Sequence, residues 1–342
     1  MREALLWEPD GDRIHCLLCP HDCRIADGAR GICGVRENER GTLRALTYGL
    51  VSSVAVDPIE KKPVFHYRPG SRVFSLGSLG CNFRCSHCQN WQISRTRPGE
   101  DARLDRLPAA EVPELALEHR CEGVAFTYNE PVIWIEYVLD AARAAKEAGL
   151  YTVMDTNGYI TTAGLDLIGE VIDVWRVDVK GFSDRVYREL CKARSIRPVL
   201  EAAERAQKRW SMHVEVVTNV IPTVNDDDDT LRGIAEWIRT ALGPDTPWHV
   251  TRFFPYLELG HLPPTPVATL ERAREIGAEA GLHFVYVGNV DVPGGEDTVC
   301  PGCGAIAIGR RGYAVTARST RDGACAGCGR PLGVKESAAH PE

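Results

Sequence analysis

Between Val73 and Val287 the chain alternates short apolar runs with longer amphipathic stretches. Apolar runs are typical of buried strands and amphipathic stretches of about 12 to 20 residues of surface helices, so the pattern predicts repeated βα units and a parallel sheet. The predicted strands are Val73–Gly77, Gly123–Thr127, Tyr151–Asp155, Val171–Asp178, His213–Asn219 and His249–Phe253, with His283–Val287 as a candidate last strand. The predicted helices are Pro131–Ala148, Gly164–Glu170, Asp184–Lys208, Thr230–Leu242 and Val267–Ala280.

Six strands joined by helical crossovers predict an α/β fold, a partial TIM-type (β/α)6 barrel. A complete eight-stranded barrel needs about 250 residues, which is more than this region offers. A doubly wound open sheet is the alternative, although no G-x-G-x-x-G motif follows the first strand. The acidic run Asp226–Asp229 precedes a predicted helix, and we interpret it as the amino-terminal cap of that helix.

The pattern changes on both sides of this region. Residues 1–70 are poor in periodic structure and rich in Cys, Gly and Pro, which indicates a Cys-rich amino-terminal metal-binding segment. Residues 71–292 would form the partial barrel, and residues 293–334 a separate small module. Residues 335–342 are predicted to be a disordered tail.

Composition narrows the classes of function. Of 342 residues, 44% are hydrophobic and 25% charged, as in ordinary soluble proteins. The net charge of −7 argues against general binding to nucleic acid or membrane surfaces. Charged residues within positions 1–15 speak against a secretory signal, and no apolar run approaches the roughly 18 residues of a membrane span. We therefore expect a cytoplasmic protein that does not bind membranes.

The cysteines carry the strongest signal. The chain has 13, and all but Cys121 and Cys191 fall into three compact groups. Disulfide frameworks belong mainly to small secreted chains, whereas grouped cysteines in a cytosolic chain more often bind metal. Cys121 and Cys191 are interpreted as small buried residues.

The central group, Cys81, Cys85 and Cys88, has C-x3-C-x2-C spacing. A [4Fe–4S] cluster has four irons, and ferredoxins ligate it with four cysteines. Three thiolates leave one iron open to a small molecule, so that the cluster can act as a reagent. The alternative is a three-cysteine zinc site completed by His87 or another residue.

Each of the other two groups has four cysteines. Cys300, Cys303, Cys325 and Cys328 form two C-x2-C knuckles, the spacing of a zinc ribbon, with a rubredoxin-like iron site as the alternative. Cys16, Cys19, Cys23 and Cys33 could hold structural zinc or an auxiliary iron–sulfur cluster, and the sequence leaves both open. His15 and His21 are alternative ligands there.

Polar residues follow the predicted strands where each one ends. In a parallel β/α barrel these ends meet at one mouth, where the chemistry collects. The segments concerned are Gly77–Gly80, Thr127–Pro131, Asp155–Gly158, Arg176–Lys180, Thr218–Pro222 and the residues His249, Arg252, Pro255 and Tyr256. We expect them to face the three-cysteine loop.

The chain resembles the radical S-adenosylmethionine (SAM) proteins of the AmmeMemoRadiSam system. The segments that carry this resemblance are Cys16–Cys23, Gly31–Arg36, Asp57–Pro63, Cys81–Trp91, Phe126–Pro131, Asp155–Gly158 and the terminal paired cysteines. The barrel region is also similar to pyruvate formate-lyase activating enzymes, which share the Asp-Thr-Asn-Gly and Asp-x-Lys elements.

The resemblance implies a radical SAM enzyme. SAM would chelate the open iron of the cluster at Cys81, Cys85 and Cys88. Its reductive cleavage to methionine and a 5′-deoxyadenosyl radical would then remove hydrogen from an unidentified substrate. A glycyl-radical-enzyme activase is the alternative within this chemistry, and a multi-zinc binding protein without redox chemistry is the alternative of another class.

The resemblance also implies where SAM binds. Glu130 would meet the SAM amino group as a charge-assisted contact, and Lys180 the SAM carboxylate. Asp155, Thr156 and Asp178, with the Arg176 carbonyl, match positions that hold a monovalent cation beside SAM. The implied cofactor-binding residues are Asn129, Glu130, Asp155, Thr156, Asn157, Asp178 and Lys180. Tyr128-Asn129 stands where the family has Gly-Gly, a departure that affects the geometry of Glu130.

The implied partners are a substrate that is a small molecule or a protein, Memo-like and AMMECR-type proteins, and an electron donor such as flavodoxin or ferredoxin. Neither membrane nor nucleic acid is among them.

Overall fold

The central element of the fold is one eight-stranded sheet, seen in a computed structural model that describes residues 2–99 and 103–336. Its strands are β1 (Ser53–Pro58), β2 (Arg72–Gly77), β3 (Gly123–Phe126), β4 (Tyr151–Thr156), β5 (Val174–Asp178), β6 (His213–Val220), β7 (Trp248–Arg252) and β8 (Val285–Gly288). β1 pairs with β2 in antiparallel fashion, and β2 to β8 are all parallel.

The strands lie side by side in the order in which the chain forms them. A doubly wound sheet reverses its strand order near the middle, so the doubly wound alternative is wrong. Because β2 to β8 are parallel, their carboxyl ends share one edge of the sheet, and the loops that leave this edge carry the polar segments.

Six helices of seven or more residues lie in the crossovers of the described chain. They are α1 (Val112–Glu118), α2 (Ile135–Glu147), α3 (Thr162–Ile168), α4 (Arg197–Trp210), α5 (Asp228–Trp237) and α6 (Val267–Glu279). Asp227 caps α5 by accepting a hydrogen bond from the Thr230 amide at 2.9 Å, which confirms the capping interpretation of the acidic run. Within the described ranges no helix is long and apolar enough to cross a bilayer.

All predicted strands are present, with ends shifted by at most three residues. The largest shift is at β5, which begins at Val174 because the amide of Val171 turns back to the carbonyl of Ile168. The candidate strand near residue 285 is β8. Sequence patterning missed the edge strand β1 and the short helix α1.

The predicted helix Asp184–Lys208 is wrong as one element. A short helical segment covers Asp184–Cys191, Lys192 then adopts a left-handed conformation (φ 59°), and α4 begins only at Arg197. Pro198 lies in the first turn of α4, a position that suits proline because its missing amide would have no helical partner. This proline was the sequence signal for the break.

The amino-terminal segment folds into two small antiparallel sheets. One contains Trp7–Asp10, Arg13–Cys16 and Arg24–Ala26, and the other Arg2–Glu3, Arg36–Glu39 and Thr42–Ala45. The segment is anchored on α2, where Glu136 accepts hydrogen bonds from the Leu5 amide at 2.7 Å and from Arg36 at 3.0 Å. The anchoring places its cysteines beside the start of the three-cysteine loop.

The carboxyl-terminal module contains β9 (Thr298–Val299), β10 (Ile306–Arg311) and β11 (Ala314–Arg318) in one antiparallel sheet. Arg310 donates a hydrogen bond to the carbonyl of Phe65 at 2.7 Å and lies over the Phe65 ring at 4.2 Å. Phe65 follows β1 and packs against Tyr286 of β8, so the module connects the two edges of the central sheet. Lys335 pairs with the backbone of residues 66–68. Of the disordered tail predicted over residues 335–342, residues 337–342 lie outside the described residues.

Candidate active site at the carboxyl ends of the strands

A cavity of about 530 Å³ opens at the carboxyl ends of the parallel strands. This volume is within the range of ligand cavities, about 300–1,000 Å³. All ten residues predicted for the cluster and for SAM line it: Cys81, Cys85, Cys88, Asn129, Glu130, Asp155, Thr156, Asn157, Asp178 and Lys180. A larger cavity of about 970 Å³ lies at the opposite strand ends, beside Trp210 and His213, and has no cysteine in its lining. The smaller cavity is therefore the candidate site.

The three-cysteine loop leaves β2 through Gly80, which has a φ of +82°. A Cβ at this position would lie 2.6 Å from the carbonyl oxygen of Cys33, so both the conformation and the close packing require glycine. Cys85 is buried, and Cys81 and Cys88 are partly buried. The loop is thus fixed against the amino-terminal segment.

The spacing of the three thiols suits a cluster better than a single ion. Around tetrahedral zinc, with Zn–S bonds of about 2.3 Å, the sulfurs stand about 3.8 Å apart. Within the described part of the chain, the carboxyl-terminal cysteines alone bring three or more metal ligands within 4.8 Å of one another. Cys81, Cys85 and Cys88 share one cavity at wider spacing, as thiolates on separate irons do. The residues therefore fit a [4Fe–4S] cluster.

Cys191 is a fourth thiol beside this loop. The amide of Arg84 donates to its carbonyl at 3.0 Å, and the neighbouring Cys191 thiol lowers the pKa of Cys85. Cys191 is fully buried, as predicted, but its contact with the three-cysteine loop was not predicted. It follows from the helix break after residue 191.

Glu130 is buried in the wall of the cavity. Its carboxylate accepts hydrogen bonds from the Thr156 hydroxyl at 2.6 Å, the Asn157 amide at 2.8 Å and the Val132 amide at 2.9 Å. Burial raises the pKa of Glu130 to about 7, although these hydrogen bonds oppose the rise. The three hydrogen bonds hold the carboxylate in one position. Because its pKa is about 7, a charged group that binds beside it changes its protonation state.

Hydrogen bonds from Asn129 and Asn157 support the three-cysteine loop. Asn129 accepts from the Ser78 amide at 3.0 Å and donates to the carbonyls of Leu79 and Gly80 at 3.2 and 3.1 Å. Asn157 donates to the Asn82 side chain at 2.8 Å, with its nitrogen 3.8 Å from the sulfur of Cys81. Both side chains thus position the backbone around the first cysteine.

Arg176 joins the two acids at the ends of β4 and β5. Its Nη1 donates to Asp155 at 2.7 Å and to Asp178 at 2.6 Å, and Lys180 donates to Asp178 at 2.8 Å. Burial alone would raise the pKa of Asp178, but the two cations lower it to about 2. Two positive groups thus balance these two carboxylates. The predicted role of Arg176 concerned only its carbonyl, and the contacts of its guanidinium were not predicted.

Lys62 and Tyr128 form a second polar network on the cavity wall. Lys62 donates to Asp57 at 2.8 Å and to the Ser75 hydroxyl at 2.7 Å, and the Tyr128 hydroxyl donates to Asp57 at 2.7 Å. Asp57, Lys62 and Tyr128 lie in segments that carry the family resemblance, but no role was predicted for them. Tyr313, at the turn between β10 and β11, also lines the cavity, which gives the carboxyl-terminal module a place in the site.

The carboxyl-terminal cysteines have the geometry of a single-ion site. The sulfurs of Cys300 and Cys328 are 3.5 Å apart, those of Cys303 and Cys325 are 3.7 Å apart, and all four lie within 4.8 Å of one another. These distances match the spacing of about 3.8 Å around tetrahedral zinc.

Comparison with known proteins places this site in a family. The radical SAM superfamily profile matches residues 76–234, which include the cluster loop. The uncharacterized protein MJ0808 of Methanocaldococcus jannaschii is 44% identical over 311 residues, which cover 91% of this chain and 92% of that protein. The pyruvate formate-lyase 1-activating enzyme of Escherichia coli is 28% identical over 195 residues, which cover 56% of this chain and 76% of that enzyme.

Among solved structures, a radical SAM methyltransferase from Sphaerobacter thermophilus superposes with a TM-score of 0.49 at 17% identity, over 64% of this chain and 67% of that one. The superfamily match and the near end-to-end likeness to the archaeal protein agree with the site geometry. This chain is a radical SAM superfamily enzyme and belongs to the same family as the Methanocaldococcus jannaschii protein.

Proposed function

We propose that the protein cleaves SAM reductively and uses the resulting radical to remove hydrogen from a substrate bound at the strand ends. The observation that carries this proposal is the convergence on one cavity of the three-cysteine loop and the buried carboxylate Glu130. When bound, the cluster and SAM would supply the chemistry, a one-electron cleavage of the sulfonium C–S bond to methionine and a 5′-deoxyadenosyl radical.

The chain's own residues would hold the cofactors and exclude water. Cys81, Cys85 and Cys88 would ligate three irons. Glu130 would accept hydrogen bonds from the SAM ammonium, a charge-assisted contact. The positive charge would lower the pKa of Glu130 and so favour the ionised carboxylate. Lys180 would meet the SAM carboxylate while it keeps its bond to Asp178. Asn129 and Asn157 would fix the loop rather than touch SAM.

The residues do not fit a bare monovalent cation beside SAM. Asp155 and Asp178 already share the Arg176 guanidinium, and the Thr156 hydroxyl is donated to Glu130. We therefore assign to Arg176 the place that the family resemblance gives to a metal cation.

The wider architecture is proposed in the same way. Seven parallel strands in sequential order support a partial barrel with its mouth at the cluster. The sulfur spacing of Cys300, Cys303, Cys325 and Cys328 supports a zinc ribbon over residues 293–334.

The substrate is a protein or a small molecule. Similarity to an activating enzyme supports a glycyl-radical partner, and the AmmeMemoRadiSam resemblance supports Memo-like and AMMECR-type partners. Flavodoxin or ferredoxin would supply the electron. The mouth carries Tyr313 and Lys61, side chains able to contact either kind of substrate.

The test uses anaerobically reconstituted protein with dithionite and SAM. We expect 5′-deoxyadenosine and methionine in equal amounts, and neither above background in the Cys81→Ala variant. A colourless protein that contains only zinc and yields no 5′-deoxyadenosine would overturn the proposal in favour of a zinc-binding protein.

A further inference from the structure

The amino-terminal cysteines surround a second, smaller cavity. Cys16 ends a strand, Cys19 and Cys23 lie in the turn that follows, and Cys33 lies in the turn before Arg36. All four side chains line the cavity, together with His21 and apolar residues such as Leu18 and Ile133. Four thiols therefore face one enclosed space outside the site described above.

The sulfur spacing in this cavity does not suit a single tetrahedral ion. Zinc would bring the sulfurs to about 3.8 Å from one another. No three of these cysteines, with or without His21, come within 4.8 Å of each other, whereas the four carboxyl-terminal cysteines of the same described chain do. The same protein thus contains one tetracysteine group with the spacing of zinc and one with wider spacing.

Arg36 gives a second, independent indication of a bound group. It is 1% exposed and lines the same cavity. Its Nη2 donates to the Leu5 carbonyl and to Glu136, but its Nε and Nη1 have no partner among the described residues. Unpaired buried donors are costly. A metal–thiolate group of net negative charge would accept hydrogen bonds from them and balance the guanidinium.

We propose that Cys16, Cys19, Cys23 and Cys33 bind a second iron–sulfur cluster, with Arg36 as its charge partner. In a cubane each thiolate binds a different corner iron, so the ligands stand farther apart than around one ion. The cationic side chain stabilises the reduced, more negative state of such a cluster.

The position of this cluster suits an electron relay, a role that rests on the function proposed above. Cys33 packs against Gly80 next to the first cysteine of the loop, and His21 Nε2 donates to the Asn82 carbonyl at 2.6 Å. A low-potential one-electron donor of the flavodoxin or ferredoxin class would reduce the second cluster. That cluster would then pass the same electron to the cluster at Cys81, Cys85 and Cys88, with no bond made or broken.

The site is tested by metal analysis of the full-length chain, anaerobically reconstituted with iron and sulfide. The Cys81→Ala/Cys85→Ala/Cys88→Ala variant should keep about four irons and show the electron paramagnetic resonance signal of a reduced cluster after dithionite treatment. Adding Cys19→Ser and Cys23→Ser to this variant should remove the remaining irons and the electron paramagnetic resonance signal. If the triple variant does not fold, the number of metal ions per wild-type chain decides the question. About eight irons support the proposal, and about four irons with two zinc ions overturn it.

The relay is tested separately. In the Cys19→Ser/Cys23→Ser variant, the yield of 5′-deoxyadenosine with reduced flavodoxin should fall relative to the yield with dithionite. An unchanged ratio would overturn the relay and leave the cluster site standing. Failure of both reductants in wild-type protein would instead count against the proposed function.

Discussion

Arg176 on β5 donates a hydrogen bond from Nη1 to the carboxylate of Asp155 on β4, its direct neighbour in the sheet, at 2.7 Å. The same nitrogen reaches Asp178. A guanidinium thus lies at the strand ends where two carboxylates would otherwise repel each other. The guanidinium supplies a positive charge between the two carboxylates at this wall of the cavity.

Replacing Arg176 should create a dependence on alkali cations. In Arg176→Met the two carboxylates lose their shared donor, and removing one partner of a buried charge pair typically costs about 3–5 kcal/mol. We expect SAM cleavage by the variant to require K⁺ or Na⁺, while the wild-type rate stays constant when tetramethylammonium replaces both. The assay is 5′-deoxyadenosine formation as a function of K⁺ concentration.

Arg205→Met is the matched control, because Arg205 forms its ion pair with Asp166 away from the cavity. It should show no dependence on K⁺. A wild-type enzyme that itself loses activity without alkali cations would contradict the assignment of Arg176.

Glu130 should make SAM affinity depend on pH. Its pKa is raised to about 7 by burial, so below this pH most of the SAM-free protein carries the neutral acid, which cannot pair with an ammonium. The dissociation constant should rise about tenfold per pH unit below pH 7 and level off above it. Equilibrium dialysis of the reconstituted protein with SAM between pH 5.5 and 7.5 measures this slope.

Glu130→Gln keeps the size of the side chain and should bind SAM more weakly with a flat pH profile over the same range. Glu258→Gln, at an exposed pair with Arg95, should behave like wild type. The same slope in Glu130→Gln as in wild type would show that another group is responsible.

Residue pattern alone predicted much of this fold because the parallel strands are short, apolar and regularly spaced. Each strand ends in a polar segment, so topology alone brings Glu130, Asp155 and Lys180 to one mouth. The edge strand β1 was missed because it lies in a Cys-rich and Gly-rich segment without clear alternation. The helix break at Lys192 was missed because the apolar period continues across it.

The side-chain pairing in the site could not be predicted in the same way. Whether the Arg176 side chain points into the site depends on the register between β4 and β5. In the structure this register places Arg176 opposite Asp155. Likewise, the contact between Cys191 and Cys85 joins segments about a hundred residues apart and depends on how the chain turns after residue 191. The residue types alone predicted the chemistry of the site, whereas the contact partners of Arg176 and Cys191 could be found only in the three-dimensional structure.

Cys191 should raise the midpoint potential of the cluster proposed at Cys81, Cys85 and Cys88. A thiol that donates a hydrogen bond to a cluster sulfur stabilises the reduced, more negative state. Cys191→Ala should therefore lower the midpoint potential of the cluster, measured by redox titration with electron paramagnetic resonance detection. Cys121→Ala, which removes a buried thiol away from the cavity, is the control and should leave the potential unchanged. Equal potentials in the two variants would mean that the Cys191 thiol has no such effect.

His66 should make the protein sensitive to mild acid. It is fully buried, accepts a hydrogen bond from the Tyr286 hydroxyl at 2.6 Å and donates to the Leu332 carbonyl at 2.9 Å. Burial lowers its pKa to about 3. Between pH 6.5 and pH 3 the unfolded chain therefore takes up a proton that the native protein refuses, so the free energy of unfolding falls as the pH drops, by up to about 1.4 kcal/mol per unit.

The measurement is thermal unfolding at pH 7.5 and pH 5.5. His66→Phe should be less stable at pH 7.5 but should lose less on acidification than wild type. His119→Gln, at an exposed histidine, should lose as much as wild type. If His66→Phe and wild type lose stability in parallel, other groups account for the acid sensitivity.

Removing ligands of the zinc site proposed at the carboxyl-terminal cysteines should weaken the connection between the two sheet edges. Cys303 and Cys328 are exposed, whereas Cys300 and Cys325 are buried in the core that Phe65 and Tyr286 share with Ile308 and Leu332. Cys303→Ser/Cys328→Ser therefore removes two ligands and leaves this apolar core intact. We expect it to lose one zinc per chain and to unfold at lower temperature, because so small a module depends on its metal. Cys121→Ser should keep the metal, and a double variant that retains zinc, measured by mass spectrometry of the purified protein, would contradict the tetrahedral site.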